Sequence, residues 1–462
     1  AGDVNNDGSS DVLVGAGGYI MVFHGSAAGI VGTDPTSADT KITSSATISI
    51  GARVSSAGDV NGDGFSDILV ADPSYPTIPF VSSGPGAVLV FHGGPSGITA
   101  TTPASSEGFI EGTAFDVLQN FGWQFSAAGD VDGDGDMDVV NTNYGNGNLS
   151  ILTNIGNASG VFSGPSFFEG GGSGERSLAT GDMNGDGLLD LVIGMINSGE
   201  IVINLNNGDG TFTESDSEPA VSGTWMLALG DLNGDGFDDI MASDTGYPTG
   251  ITSGGHGAFM VFHGSASGVT ATGLAAADTF IEGDLSTVVL GPTQFLGWRF
   301  SGAGDVDGDG IADVIVGGLD YAGGLDNEGI AYVFRGSATG LVGTTLADAY
   351  VQLKTGQAFS AYRNNKPGFD LAAAGDVNGD GCADVLMGAA HYDAGEAEEG
   401  AVFVFHGGPG SGGPTNQAPV AYAGTDQSVQ DADGNGSEQI TVDGSGSFDL
   451  DGSIASYEWF NG

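Results

Sequence analysis

The sequence predicts an all-β protein, a seven-bladed β-propeller, and three observations carry that prediction. A nine-residue pattern, Asp-x-Asn/Asp-x-Asp-Gly-x-x-Asp with Gly before it, occurs seven times, starting at Asp3, Asp59, Asp130, Asp182, Asp231, Asp305 and Asp376. The starts lie 56, 71, 52, 49, 74 and 71 residues apart, a period that suits one four-stranded blade with its loops. Glycine is far above average at 86 residues, yet the chain is 40% hydrophobic. That is the composition of many short strands joined by tight turns, not of disorder.

Each repeat opens with a segment of small residues running into the pattern, as in "IGARVSSAGD" (50–59), "FGWQFSAAGD" (121–130), "LGWRFSGAGD" (296–305) and "PGFDLAAAGD" (367–376). Small side chains suit the innermost strand, where blades converge on the axis. An apolar run follows the pattern, such as "DILVA" (67–71) or "DVIVG" (313–317), then a variable loop, then a second apolar run. The second runs are residues 18–25, 86–93, 147–154, 199–206, 257–264, 329–336 and 400–407. Runs of four to six apolar residues, closed by Gly and without helical periodicity, read as strands buried on both faces. Blades stacked face to face around an axis require this, and no segment reads as a helix.

The nine-residue pattern itself is a calcium-binding loop. Ca²⁺ takes six to eight hard oxygen ligands. In the second loop Asp59, Asn61 and Asp63 offer side-chain oxygens on alternate residues, Gly64 permits a sharp turn, Phe65 supplies a backbone carbonyl and Asp67 closes the shell. The same roles fall to Asp3, Asn5, Asp7, Ser9 and Asp11 in the first loop, and to Asp130, Asp132, Asp134, Asp136 and Asp138 in the third. They fall to Asp182, Asn184, Asp186, Leu188 and Asp190 in the fourth, and to Asp231, Asn233, Asp235, Phe237 and Asp239 in the fifth. The sixth uses Asp305, Asp307, Asp309, Ile311 and Asp313, and the seventh Asp376, Asn378, Asp380, Cys382 and Asp384. An EF-hand loop would need an acid at position twelve, where this chain has Val14, Val70, Asn141, Ile193, Ala242, Val316 and Met387. Turns without metal would leave aspartates repelling one another. The expectation is up to seven Ca²⁺ ions, one per blade, in a structural role.

With 59 acidic and 8 basic residues the net charge is −51, which argues against nucleic acid or an anionic membrane as partner. Seven Ca²⁺ would bring it only to about −37, so the remaining acidity reads as a solvated surface, of the kind that salt water favours. The lone Cys382 excludes an internal disulfide and reads as a small loop residue. No stretch is long and apolar enough to span a bilayer as a helix. His24, His92, His263 and His406 each end the same repeated strand in a different blade and cannot converge on one catalytic centre; His256 and His391 lie in loops between the second and third strands. No catalytic motif appears, so no catalytic residue is assigned. Tyr75, Tyr247, Tyr321 and Tyr392, each beside an acid or Pro after the second strand, are candidates for a ligand face opposite the calcium loops. Tyr is also a feature of the repeat itself.

At "FGWQFSAAGDVDGDGDMD" (121–138) and "LGWRFSGAGDVDGDGIAD" (296–313) the chain resembles the FG-GAP repeats of integrin α-subunit propellers and their bacterial relatives, over roughly residues 1–410. The fourth repeat departs, with "NLNNGDGTF" (204–212) and no Phe-Gly pair, though its metal loop is intact. The resemblance implies a secreted or cell-surface module. It also implies a ring whose last blade borrows a strand from the N-terminus. Residue 1 abuts the first loop and a linker follows the last run, so residues 1–406 are expected to be an N-terminally truncated propeller lacking the inner strand of blade one and the outer strand of blade seven. Residues 407–417 read as a Gly/Pro linker. Residues 418–462, with Asp443-Gly444-Ser445, Asp449, Asp451-Gly452 and Tyr457–Trp459, resemble the first half of a polycystic-kidney-disease (PKD) domain, an Ig-like β-sandwich. The function expected is non-catalytic adhesion or binding of a protein or glycan ligand. The alternatives are an accessory region of a secreted polysaccharide- or protein-degrading enzyme, or a structural spacer.

Overall fold

The computed structural model describes residues 1–408 except 33, 46–47, 49, 52, 74, 76–85, 113–120, 122–123, 144–147, 156–161, 164–165, 170–174, 196–198, 220–225, 249–255, 267, 270–272, 274–275, 284–295, 319–329, 355–361, 364–365, 368, 391 and 393–399. The expected PKD-like segment 418–462 and all of the linker but Gly407 and Gly408 lie outside the described residues.

Seven antiparallel sheets follow one another along the chain, each with strands in sequence order. Blade two is representative, with strands Arg53–Gly58, Asp67–Asp72, Ala87–Phe91 and Gly108–Glu111. Blades three to six have the same four-stranded meander. Among the described residues blade one has three strands, Val12–Ala16, Tyr19–Phe23 and Thr40–Thr43, plus a single bridge between Gly2 and Asp11. Blade seven also has three, Phe369–Gly375, Asp384–Ala389 and Ala401–Phe405, and a two-stranded hairpin, Tyr362–Arg363 with Lys366–Pro367, precedes it. The described helical structure is confined to single 3-10 turns such as Pro103–Ser105 and Leu346–Asp348. No helix of the described residues is long and apolar enough to cross a membrane.

The apolar runs lack alternation because both faces of each sheet are covered. In the second strand of blade five, Asp239–Asp244, Ile240 and Ala242 pack with Val192 and Ile201 of blade four, while Met241 between them packs with Phe300 and Val314 of blade six. Every residue of that strand is buried, as is every residue of Asp67–Asp72 and Asp313–Gly318. At roughly 1.5–3 kcal/mol per buried aliphatic or aromatic side chain, these seams supply most of the apolar stabilisation.

The glycine before each pattern also has its reason. In blades two, three, six and seven the pairing of the first two strands slips by one residue just before Gly58, Gly129, Gly304 and Gly375. Those glycines have φ of 68°, 69°, 71° and 70°. This left-handed bulge turns the inner strand into the loop at a conformation side chains resist.

Hydrogen bonds to loop carbonyls tie each blade to the one before it, from backbone donors in all but blade three, where Asn154 Nδ2 donates to the Val60 carbonyl. The residue ahead of a loop's last aspartate donates to the carbonyl of the preceding loop's first aspartate: Ser66 to Asp3 (3.0 Å), Ala312 to Asp231 (3.3 Å), Ala383 to Asp305 (2.8 Å). A second set runs from the turn after the third strand to the second residue of the preceding loop: Gly94 to Val4 (2.9 Å), Gly210 to Val131 (2.9 Å), Ser337 to Leu232 (3.1 Å), Gly408 to Val306 (2.9 Å). The same bonds close the ring, with Ser10 donating to Asp376 (2.8 Å) and Ser26 to Val377 (2.9 Å), while Val12 packs on Ala374 and Val377.

Candidate metal centres

In blades two to seven the loop sits between the first and second strands, and in blade one it precedes Val12–Ala16, with only the Gly2–Asp11 bridge on its other side. The residues twelve along, from Val14 to Met387, lie in the strand that follows each loop, which fits the exclusion of an EF-hand. Each loop turns on a glycine at its sixth position, Gly8, Gly64, Gly135, Gly187, Gly236, Gly310 and Gly381, with φ between 87° and 96°. The fourth position is left-handed too. It is Gly in six loops and Asn6 (φ 54°) in the first, and asparagine is the side chain that best tolerates that region.

The first aspartate accepts from the backbone it encircles. In loop two Asp59 Oδ1 takes Asp63 N–H (3.0 Å) and Oδ2 takes Gly64 N–H (2.7 Å). In the loops with Asn at the third position, its Oδ1 accepts the fifth residue's N–H and its Nδ2 donates to the fifth aspartate's Oδ2, as Asn61 does to Asp63 (3.0 Å). The fifth aspartate accepts the seventh residue's N–H: Asp63 from Phe65 (3.1 Å), Asp186 from Leu188 (2.9 Å), Asp235 from Phe237 (3.0 Å), Asp309 from Ile311 (2.9 Å), Asp380 from Cys382 (2.9 Å) and Asp7 from Ser9 (3.0 Å).

The ninth aspartate is the buried one. Asp11, Asp67, Asp138, Asp190, Asp239, Asp313 and Asp384 are at most 1% exposed. Each accepts two backbone N–H groups, one from its loop's second residue and one from the end of the third strand: Asp313 binds Val306 (2.8 Å) and Gly336 (2.9 Å). Burial outweighs those bonds and neighbouring aspartates add to it. Asp67, Asp138, Asp190 and Asp239 are pushed up to about 6, Asp313 to about 7, and Asp11 is raised as well.

Loops three and six carry Asp at the third position, and there the carboxylates converge most. Oxygens of Asp130, Asp132 and Asp138, and of Asp305, Asp307 and Asp313, lie within 4.8 Å of one another. Asp132 Oδ1 and Asp307 Oδ1 are buried with no hydrogen-bond partner. Burial and the charge of Asp134 raise the Asp132 carboxyl. An unpartnered buried carboxylate oxygen facing two others fits a hard cation, so these residues suit Ca²⁺.

The third-strand histidines serve the seams. A methyl group on Gly97, Gly340 or Gly29 would meet the imidazole of His24, His263 or His406 of the neighbouring blade. The tyrosines of the opposite face share one contact: Tyr75 stands edge-on to Phe109, Tyr247 to Phe280 and Tyr392 to Phe403, with centroids 5.3, 5.2 and 5.1 Å apart. Tyr75 and Tyr247 are half-buried, whereas Tyr392 is 4% exposed, which leaves its ring little surface for a ligand. Tyr321 and His391 lie outside the described residues. One pair escaped the sequence reading: His256 Nε2 lies 2.6 Å from Glu282 Oε1, with the ring almost wholly buried. The two are 26 residues apart, and only strand pairing across blade five brings them together.

Comparison with known proteins agrees with the repeat. The FG-GAP-like repeat model matches residues 3–70, 130–193 and 182–242, and the FG-GAP repeat model matches 51–91 and 368–405. The chain is 30% identical to integrin alpha-4 of Xenopus laevis over 157 residues, covering 30% of this chain and 13% of that protein. It is 31% and 32% identical to integrin alpha-7 of mouse and human over 148 residues, covering 30% of this chain and 11% of each. The match thus takes in a small fraction of those subunits' length. A solved Agrocybe aegerita structure, described as a lectin recognising non-reducing terminal N-acetylglucosamine, aligns over 86% of this chain and 89% of that one, at 17% identity and a TM-score of 0.44. Repeat matches in blades one to five and seven, similarity to integrin α-subunits and seven consecutive antiparallel sheets together place this chain among the FG-GAP-repeat β-propellers, as a seven-bladed integrin-α-like member.

Proposed function

We propose that this chain is a calcium-stabilised, extracellular or cell-surface propeller that binds a protein or glycan ligand and catalyses no reaction. The observation that supports calcium most strongly is the pair of buried, unpartnered oxygens on Asp132 and Asp307, each within a cluster of three carboxylates. Bound Ca²⁺ would supply positive charge where carboxylates otherwise repel. Asp130, Asp132 and Asp138, or Asp305, Asp307 and Asp313, would hold it, and the other five loops would use Asn at the third position. The ninth aspartate would serve twice, as ligand and as backbone clamp, so the ion would brace the junction of two strands with the preceding blade.

The ligand role rests on likeness to integrin α-subunits. The face opposite the calcium loops, with Tyr75 and Tyr247 at its rim, is the surface assigned to it. Ions that bind only the folded chain stabilise it by mass action. Removing calcium with a chelator is therefore expected to lower the melting temperature and speed proteolysis, and metal analysis is expected to return up to seven ions per chain. An unchanged melting curve in excess chelator would defeat the calcium reading. A glycan and matrix-protein array, probed with and without Ca²⁺, tests the ligand role, which falls if nothing binds in either condition.

A further inference from the structure

Loops three and six have the same three-carboxylate cluster, and each leaves the third aspartate's Oδ1 buried and unpartnered. They differ at the seventh position, Asp136 against Ile311, and in the residue at the end of the third strand, just before the backbone N–H that caps the ninth aspartate. In blade three it is Thr153, whose hydroxyl bonds Ser163 (2.6 Å). In blades one, two, five and seven it is histidine. In blade six alone it is a permanent cation, Arg335, whose Nη1 donates to Asp307 Oδ2 at 3.1 Å. The guanidinium is held over the Tyr350 ring, 4.5 Å from its centroid, while the Asp307 side chain is 7% exposed.

We infer, on the calcium reading above, that Arg335 is a built-in counter-cation that makes loop six the weakest calcium site of the two and the one that keeps its shape without the ion. Two effects oppose each other. Fixing Asp307 in place favours binding, but it saves only the ordering of one short side chain. A positive charge hydrogen-bonded to a ligand carboxylate repels an incoming dication, and the partly buried setting weakens the screening. Repulsion is the larger effect. In the metal-free protein the same charge relieves repulsion among Asp305, Asp307, Asp309 and Asp313, which calcium relieves in the other loops.

The test uses Arg335→Thr and its converse Thr153→Arg, with Arg335→Lys keeping the charge. By calorimetric titration with CaCl₂, Arg335→Thr is expected to raise the affinity of one site tenfold or more, Thr153→Arg to lower one by a similar factor, and Arg335→Lys to change little. In metal-free protein, hydrogen exchange at residues 308–311 is expected to be slower than at 133–136, and Arg335→Thr is expected to narrow the difference by speeding exchange at 308–311. If Arg335→Thr weakens a site, or if affinity and exchange both stay unchanged, the inference is overturned. If the parent chain takes up no calcium, the calcium reading fails instead, and the exchange comparison still decides whether Arg335 props the loop.

Discussion

Asp313 carries two obligations in one carboxylate. Its oxygens accept the Val306 and Gly336 N–H groups from inside the core, and burial pushes its carboxyl up to about 7. Asparagine there would turn an NH₂ toward one of those donors and leave it unpaired. Asp313→Asn is expected to cost about 3 kcal/mol in calcium-free protein, at the upper end of the range for an unsatisfied buried group, as read by urea denaturation. The raised acids also set a pH dependence. A carboxyl whose folded pKa exceeds its unfolded value near 4 leaves the folded chain holding more protons between the two, so metal-free stability falls as pH rises from about 4 to about 7. Calcium requires the ionised form, so its affinity should weaken as pH drops through that window. Melting curves of metal-stripped protein and calcium titrations at pH 5.5 and 7.5 should therefore trend in opposite directions. Identical trends would count against both assignments.

The loop hairpin is the element most fully legible in the sequence, because its chemistry is local. Alternate side-chain oxygens, the sixth-position glycine and the strand that follows all come from nine adjacent residues and those just after them. At Gly64 (φ 91°) an added methyl would meet only the Asn6 amide nitrogen, at an ordinary contact of 4.0 Å, so Gly64→Ala carries only the backbone cost, about 1–2 kcal/mol. Gly97→Ala should cost more, because the methyl would run into the His24 imidazole. Comparing the two melting temperatures separates conformational cost from steric cost. Elements built by pairing across a blade were not legible. The His256–Glu282 contact and the burial of Tyr392 depend on register between distant strands, and nothing adjacent in sequence announces them.

At the scale of the molecule, repeat spacing foretold the number of blades, and the two-sided burial of their strands explains the missing alternation. How the blades meet lay beyond the sequence, because the bonds run between backbone groups that any residue supplies. A net charge of −51 on 462 residues makes the metal-free ring self-repelling, so added NaCl should raise its melting temperature more than that of the calcium-loaded form. A larger salt effect with calcium present would contradict this.

The backbone hydrogen bonds between loops run one way round the ring, each to a carbonyl of the loop behind, and Ser10 and Ser26 carry the sequence past its own start; one bond to a side chain runs the other way, Asp182 N–H donating to Asp238 Oδ2 of the loop ahead (3.0 Å). On the calcium reading, damage is therefore mainly directional. A loop without its ion would slacken the acceptors used by the blade that follows, while the blade behind would keep its own, except the fourth, which leans forward on Asp238. Dependencies joined head to tail in a closed ring have no terminal member from which fraying could begin, so filling and emptying should behave as a closed chain of coupled switches, with the fault travelling chiefly in one sense.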